Sequence, residues 1–204
     1  MEDFDAKNEK SLSSNDDLMP WITLCLENDF WDFELSGDKH EFDAKNVWNL
    51  NGLFDAFAEK FQFRVFSRNW DALFDWLTDL SSFPQGEDIK LQFRNSDIFF
   101  PESGDHETFL KLSALLNDVG EYWIQAPEIE PQIPWLKRRR FNILFVFNGE
   151  RKMFLAQECL RLIGVRYRVA SRVDPELEKD LAPYTKQKPI RVICKKVKGE
   201  KDES

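Results

Sequence analysis

Three aspartates spaced four residues apart are the most distinctive charged pattern in this chain of 204 residues. Asp71, Asp75 and Asp79 follow one another at i, i+4 and i+8. On a helix that turns about 100° per residue, their side chains fall within roughly 80° of one another. Such a row can pair with cations on a partner, or it can be an ordinary solvated face. Like charges at this spacing repel by roughly a few tenths of a kcal/mol, so helix capping alone does not account for all three.

The same stretch carries an apolar row on its other side, and this row predicts the helix. Trp70, Leu73, Leu77 and Leu80 have the spacing of a buried helical face. Asn69 is a suitable N-cap, and an acidic residue two positions later suits the positive end of the helix dipole. The sequence therefore predicts a helix that begins after Asn69, turns one face to a core and presents carboxylates on the opposite side.

The helix and its flanks resemble a known family of inhibitors. The segment Asn69–Leu80 reads NWDALFDWLTDL and resembles the central motif of the barstar family, roughly Gly-x-Asn-x-Asp-Ala-Leu-Trp-Asp-Cys-Leu. The flanking segments follow the family's order of strand and turn, helix, second strand, long helix and last strand: Phe42–Val47, Asn51–Phe61, Ile89–Phe93, Phe109–Tyr122 and Phe141–Phe147. The resemblance covers residues 39–148, about half of the chain.

The resemblance implies a function and a set of binding residues. Barstar-type proteins are small intracellular inhibitors that block the active site of a secreted ribonuclease with an acidic helix and the loop before it. Asp71 and Asp75 occupy the two inhibitory aspartate positions, Phe74 replaces the family's tryptophan, and Asn69 matches directly. The full set of residues expected to bind the partner is Asp71, Asp75, Phe74, Asn69, Phe66, Arg68, Trp76 and Asp118.

Besides Phe74, other positions depart from the family's pattern, and the proline that precedes the motif in the family is absent here. Ser67 replaces a glycine in the loop, Val65 replaces an aromatic residue, and Trp76 replaces a cysteine. A change from glycine to serine restricts the backbone angles that the loop can adopt. The resemblance therefore implies the inhibitory mode, and it leaves open which partner the loop fits.

The fold class that we expect is α/β, with a small, mainly parallel sheet flanked by helices. The expected organisation is a flexible leader at 1–19, an N-terminal hairpin extension at 20–37, a barstar-like domain at 38–148, a C-terminal α/β extension at 149–198 packed on the same sheet, and a tail at 199–204. The hairpin would pair Trp21–Leu26 with Phe30–Leu35 across a turn at Asn28 and Asp29.

Local patterns predict the remaining elements. Asn51 is the expected N-cap of the first helix, which runs to Phe61, and Phe141–Phe147 has the apolar character of a central parallel strand. The segment Ala126–Pro134 contains three prolines, so we expect a stiff, non-helical excursion there. A helix at Glu150–Ile163 that ends before Gly164, and strands at Val165–Val169 and Ile190–Val197, complete the chain.

Composition argues against several classes of protein. Three widely spaced cysteines and two histidines without ligand spacing do not indicate a disulfide framework or a zinc site, and no phosphate-binding or nucleophile motif occurs. We expect no enzyme activity, no metal and no cofactor. No apolar stretch reaches about 20 residues, and the first residues lack the order of a signal peptide, so we expect a cytoplasmic protein without a membrane span.

The distribution of charge suggests the chemistry of the partner. Residues 1–136 hold 28 acidic and 10 basic residues, whereas residues 137–204 hold 9 acidic and 18 basic residues. An acidic body suits a basic partner, and nucleases are commonly basic because they hold phosphates. We expect a monomer that binds a basic nuclease toxin. Two alternatives are a barstar-like adaptor for a non-nuclease protein and an RNA-binding protein that uses the basic C-terminal region.

The basic run Lys137–Arg140 has three interpretations. It can be a solvated segment that protects the following apolar strand from aggregation, a segment that forms ion pairs with the acidic half of the chain, or an RNA contact. Arg166, Arg168 and Arg172 nearby in sequence add to the third interpretation, but no RNA-binding motif accompanies them. We do not expect nucleic acid as the main partner.

Overall fold

A five-stranded parallel sheet forms the centre of the molecule. The computed structural model describes residues 22–32, 38–47, 49–63, 66–79, 88–101, 103–104, 106–133 and 139–170. The strands are β1 (Ile22–Leu26), β2 (Asp38–Asp43), β3 (Ile89–Arg94), β4 (Phe141–Phe147) and β5 (Tyr167–Val169), in the spatial order β2-β3-β4-β1-β5. Every pair of neighbouring strands is parallel. The expected α/β fold is confirmed.

Four helices accompany the sheet: α1 (Leu50–Lys60), α2 (Trp70–Thr78), α3 (Glu107–Ile129) and α4 (Glu150–Leu162). Short 3-10 helices occur at Glu27–Asp32, Ala44–Asn46 and Ser96–Phe99. Buried residues of all four α-helices belong to the same cluster as the alternate residues of the strands. The helices therefore cover one common face of the sheet.

Aromatic rings form the centre of this core. Phe42, Phe93 and Phe145 are directly opposite one another on β2, β3 and β4. Ring centroids lie 5.0 Å apart between Phe42 and Phe93 and 4.9 Å apart between Phe93 and Phe145, and both pairs are stacked. Phe99 and Phe100, which follow β3, are also buried. Packing of large rings thus fixes the register of the strands that carry the helices.

The other face of the sheet mixes apolar and polar residues. Cys25, Leu144 and Val146 form a second, small buried cluster there. Burial raises the pKa of the Cys25 thiol to about 12, and the carboxylates of Glu27 and Asp29 add to the effect. A thiol with such a pKa stays neutral and unreactive at physiological pH.

The predicted N-terminal hairpin is wrong. Ile22–Leu26 is β1, which lies inside the sheet and pairs in parallel with β4 on one side and β5 on the other. The residues that follow, Glu27–Asp32, form a 3-10 helix instead of a returning strand. Glu27 forms an ion pair with Arg94 of β3, so the start of this helix contacts the carboxyl end of β3. Residues 33–37 lie outside the described part of the chain.

The prediction for Ala126–Pro134 is also wrong at its beginning, because α3 continues through Pro127 to Ile129. Proline has no backbone N–H, so it cannot donate to the carbonyl four residues earlier. That carbonyl belongs to Trp123, and it accepts a hydrogen bond from the Arg139 N–H instead, at 3.3 Å. A partner from the chain just before β4 compensates for the proline, which a local pattern cannot reveal.

Other boundaries differ by smaller amounts. The N-cap of α1 is Asn49, not Asn51, because the Asn49 side chain accepts a hydrogen bond from Gly52 N–H at 2.8 Å. The helix after β4 ends at Leu162, one residue before the predicted end, and Gly164 follows in the left-handed region at φ 71°. The predicted strand at Ile190–Val197, the leader at 1–19 and the tail lie outside the described residues.

Candidate functional site

The segment Phe66–Asn69, here called the recognition segment, leads into α2 and determines where that helix begins. Asn69 has an extended backbone, and its side-chain oxygen accepts a hydrogen bond from Ala72 N–H at 2.8 Å. Its own N–H donates to the carbonyl of Ser67 at 2.7 Å. This is the N-cap that the sequence predicts.

The inner side of α2 is held firmly by the core. Leu73 and Leu77 are fully buried. The indole N–H of Trp123 on α3 donates to the carbonyl of Leu77 at 2.9 Å. The last turn of a helix has carbonyls without helical partners, and this bond satisfies one of them. The helix has nine residues, and it is fixed by tertiary contacts at its end as well as by a cap at its start.

The outer side of α2 carries the aspartates, but the three do not have equivalent environments. Asp71 and Asp75 lie within the helix and are exposed. Asp79 is half-buried and is the C-cap, with an extended backbone at φ −70° and ψ 116°. It lies close enough to Tyr122 to contribute to the raised pKa of that phenol, after burial and the carboxylate of Glu130. The surface formed by Asp71 and Asp75 is here called the acidic face.

The aromatic candidates are half-buried rather than fully exposed. Trp76 stacks on Phe63 with centroids 4.7 Å apart and an interplanar angle of 22°. Phe66 contacts Phe54 at 5.8 Å and Phe63 at 5.3 Å. Phe74 packs against the edge of the core. These rings support α2 and the recognition segment while part of each ring remains accessible.

Arg68 forms an ion pair that no pattern in the sequence predicts. Its Nε donates to the Asp55 carboxylate at 2.7 Å, and its Nη2 lies 2.6 Å from the same oxygen. Asp55 is on the outer side of α1, thirteen residues earlier. Because i, i+3 and i, i+4 spacings are the ones that sequence reasoning can use for ion pairs, Asp55 was not among the expected site residues.

Asp118 lies on the exposed side of α3, one turn before Tyr122. The pKa of its carboxyl is raised above the ordinary value, mainly because protein displaces part of its water, and repulsion by Glu121 adds to the effect. A hydrogen bond with Asn117 acts in the opposite direction. Asp118 thus lies on the helix that packs against α2.

The basic run after α3 is only partly at the surface. Arg139 is 3% exposed, and its guanidinium carbon lies 4.9 Å from the centroid of the Trp123 ring. Arg140 is exposed, and its N–H donates to the carboxylate of Asp88 at 3.0 Å. Lys137 and Arg138 lie outside the described residues. Arg139 is thus a structural residue and cannot contribute to an RNA-binding surface.

Within the described part of the chain, no group of three or more His, Cys, Asp or Glu residues is arranged to hold a metal ion. The same residues include no helix that is long and apolar enough to cross a bilayer.

Comparison with known proteins concerns the region that carries this site. The sequence matches the family model described as Barstar (barnase inhibitor) over residues 38–145, which is more than half of the chain. The match contains β2, α1, the recognition segment, α2, β3 and α3, and ends within β4; β1, α4 and β5 lie outside it. No curated protein and no solved structure gave a match.

Proposed function

The chain belongs to the barstar family, and on this premise we propose that it is a stoichiometric inhibitor of a nuclease toxin, most simply a ribonuclease. The family is one of inhibitors, so the chain is not an enzyme and its partner is a protein. In our proposal the protein acts in the cytoplasm as a monomeric immunity protein. The acidic face of α2 occupies the active site of the nuclease.

The exposure of Asp71 and Asp75 on a short, firmly held helix is the observation that carries the proposal. The active site of a nuclease holds Arg, Lys or His side chains that bind the phosphates of RNA. Carboxylates spaced one helical turn apart can take the places of those phosphates. Complementary charge of this kind accelerates encounter, and charge pairs that lose their water at the centre of an interface can add to affinity.

Rigidity of the site supports the same proposal. Binding costs less when the contact residues are already ordered, because fewer side chains and backbone angles lose freedom. Asn69 caps α2, and Trp123 holds its last turn. The rings of Phe66 in the recognition segment and of Phe74 on α2 are partly accessible and can supply apolar contact area for the partner. In our proposal Arg68, Trp76 and Asp118 lie at the margin of the contact.

The proposal can be tested by affinity capture from the source cell. Wild-type protein is compared with the double variant Asp71→Ala, Asp75→Ala, and with Glu59→Ala as a control that removes an exposed carboxylate from the neighbouring helix α1. We expect wild type and the control to retain a basic protein that the double variant does not retain. The retained protein should cleave RNA or DNA when alone and lose this activity at one equivalent of the inhibitor.

Two results would contradict the proposal. Retention of the same protein by wild type and by the double variant would mean that the acidic face is only a solvated surface. Retention of RNA without a protein, with affinity that falls as salt increases, would indicate instead that the chain binds RNA through its basic C-terminal region.

A further inference from the structure

The ion pair between Asp55 and Arg68 connects α1 to the middle of the recognition segment. We propose that Asp55 is a positioning residue for inhibition: it holds Arg68, and with it the entry to α2, in the orientation that the partner requires. This inference rests on the proposed function. It adds a residue of α1 that neither the family motif nor the spacing of the aspartates includes.

The geometry of this ion pair indicates that it restrains the orientation of Arg68. Two nitrogens of one guanidinium, Nε and Nη2, approach the same carboxylate oxygen at 2.7 and 2.6 Å. A guanidinium held through two nitrogens has a fixed orientation, which a single contact to a lysine would not provide. Arg68 directly precedes the N-cap Asn69. A restraint on Arg68 therefore also limits the backbone positions that Asn69 can adopt at the start of α2.

Aromatic contacts restrain the residues on either side of Ser67 and Arg68, and the ion pair restrains Arg68 itself. Phe66, the first residue of the segment, packs against Phe54, the residue before Asp55, and Trp70, which directly follows the segment, has its ring centroid 5.2 Å from that of Phe54. Ser67 and Arg68 are exposed. Among the described contacts, the ion pair with Asp55 is the one that ties these two residues to α1.

The pair is too exposed to matter much for global stability. Arg68 and Asp55 side chains are 59% and 55% exposed, and ion pairs of this kind contribute little to folding. If Asp55 positions the recognition segment, its substitution should change hydrogen exchange near the start of α2 and affinity for the partner, without a change in melting temperature. If Asp55 instead stabilises the whole fold, its substitution should lower the melting temperature without these local changes.

Hydrogen exchange tests the local effect without any partner. In Asp55→Asn, we expect the amides of Asn69 and Ala72 to exchange about two to five times faster than in wild type, which is the range that an exposed ion pair provides. Glu59→Gln is the matched control, since Glu59 is an exposed carboxylate one turn further along α1. Unchanged exchange in Asp55→Asn would overturn the proposal, whatever the function of the protein.

Affinity for the nuclease retained in the capture experiment tests the binding effect. A positioning role predicts that Asp55→Asn and Arg68→Gln both weaken binding, that the double variant is no weaker than the weaker single variant, and that the swapped pair Asp55→Arg, Arg68→Asp recovers part of the affinity. If the pair acted merely through its charges, loss of Arg68 near an acidic face would strengthen binding to a basic protein. Tighter binding by Arg68→Gln would therefore overturn the proposal.

The two proposals fail in different ways. If wild type retains no nuclease, the proposed function is wrong, and the exchange measurement still decides whether Asp55 orders the recognition segment. If wild type inhibits a nuclease while Asp55→Asn inhibits it equally well, the proposed function stands and the positioning role is wrong.

Discussion

Burial and backbone geometry distinguish residues that look equivalent in the sequence. Asp71, Asp75 and Asp79 are evenly spaced, but Asp79 follows the last helical residue and is half-buried, whereas the other two are exposed. A charged residue at the centre of an interface contributes more than one at its margin because it loses its water and pairs fully. Substitution of Asp75 should therefore weaken binding more than substitution of Asp79.

We expect Asp75→Ala to weaken nuclease binding by about 2–5 kcal/mol, because it leaves a cation of the partner buried without its counter-charge. We expect Asp79→Ala to cost less than about 1 kcal/mol of binding, the range of exposed pairs. Titration calorimetry with the captured nuclease measures both values. Chemical unfolding should show little change for Asp75→Ala, since that side chain is exposed. Equal affinity of wild type and Asp75→Ala would contradict the prediction.

The raised pKa of Asp118 predicts how its contribution to stability varies with pH. When a carboxyl has a higher pKa in the folded state than in the unfolded state, the folded state binds more protons between the two values, and stability falls as pH rises through them. At neutral pH the ionised form of Asp118 is therefore unfavourable, mainly because of partial loss of water. The penalty is absent below the ordinary pKa of an aspartate.

Asp118→Asn should accordingly stabilise the protein at pH 7 and lose this advantage at acidic pH. Urea unfolding at a series of pH values measures the difference between the two proteins. Glu107→Gln is a suitable control on the same helix, because Glu107 is exposed and its ion pair is with Lys111, away from Asp118. A difference between Asp118→Asn and wild type that does not depend on pH would contradict the assigned cause.

At the scale of elements, α2 is a short helix whose position depends on contacts at both of its ends. Helices of fewer than about 12 residues are marginal in water on their own. The nine residues of α2 are stabilised by the Asn69 cap, by burial of Leu73 and Leu77, and by the hydrogen bond from Trp123. The geometry of the acidic face is thus a property of the helix in its tertiary setting.

The two asparagine caps allow stability and binding to be separated. Asn49 caps α1 and Asn69 caps α2, each through a 2.8 Å hydrogen bond to the N–H three residues later. We expect Asn49→Ala and Asn69→Ala each to lower the free energy of unfolding by about 0.5–2 kcal/mol. Only Asn69→Ala should also weaken nuclease binding, because it loosens the first turn of the acidic face. Similar affinity of the two variants would contradict the assignment of the site to α2.

At the scale of the whole molecule, β1 is part of the central sheet and not an appendage. It lies between β4 and β5, and Ile22 and Leu24 are fully buried in the main core. The segment that the family model leaves out at its N-terminal side therefore supports the strand β4, on which α3 and α4 also pack. The acidic face and β1 therefore depend on one core.

Leu24→Ala measures how far β1 contributes to that core. We expect it to lower the free energy of unfolding by about 2–5 kcal/mol, as removal of a buried leucine side chain usually does. Leu50→Ala is the matched control, because Leu50 is 40% exposed at the start of α1, and it should change stability by about 0.5 kcal/mol or less. A small effect of Leu24→Ala would mean that β1 is peripheral. Chemical denaturation at one pH measures both variants.

Local patterns in the sequence determined much of this protein. The spacing of Trp70, Leu73 and Leu77 predicted α2, the side chain of Asn69 predicted its cap, and the apolar run Phe141–Phe147 predicted a central parallel strand. These features depend on residues close together in the chain. The motif around Asp71 and Asp75 also identified the family, which the match over residues 38–145 confirmed.

Tertiary structure alone decided the features that depend on distant residues. The strand at Ile22–Leu26 was visible in the sequence, but its partners β4 and β5 are more than a hundred residues away. Helix α3 continues past Pro127 because the Arg139 N–H donates to the Trp123 carbonyl, for which the proline has no N–H. Arg68 meets Asp55 because two aromatic contacts bring the recognition segment onto α1. Each of these contacts results from packing of the whole core, which no local spacing encodes.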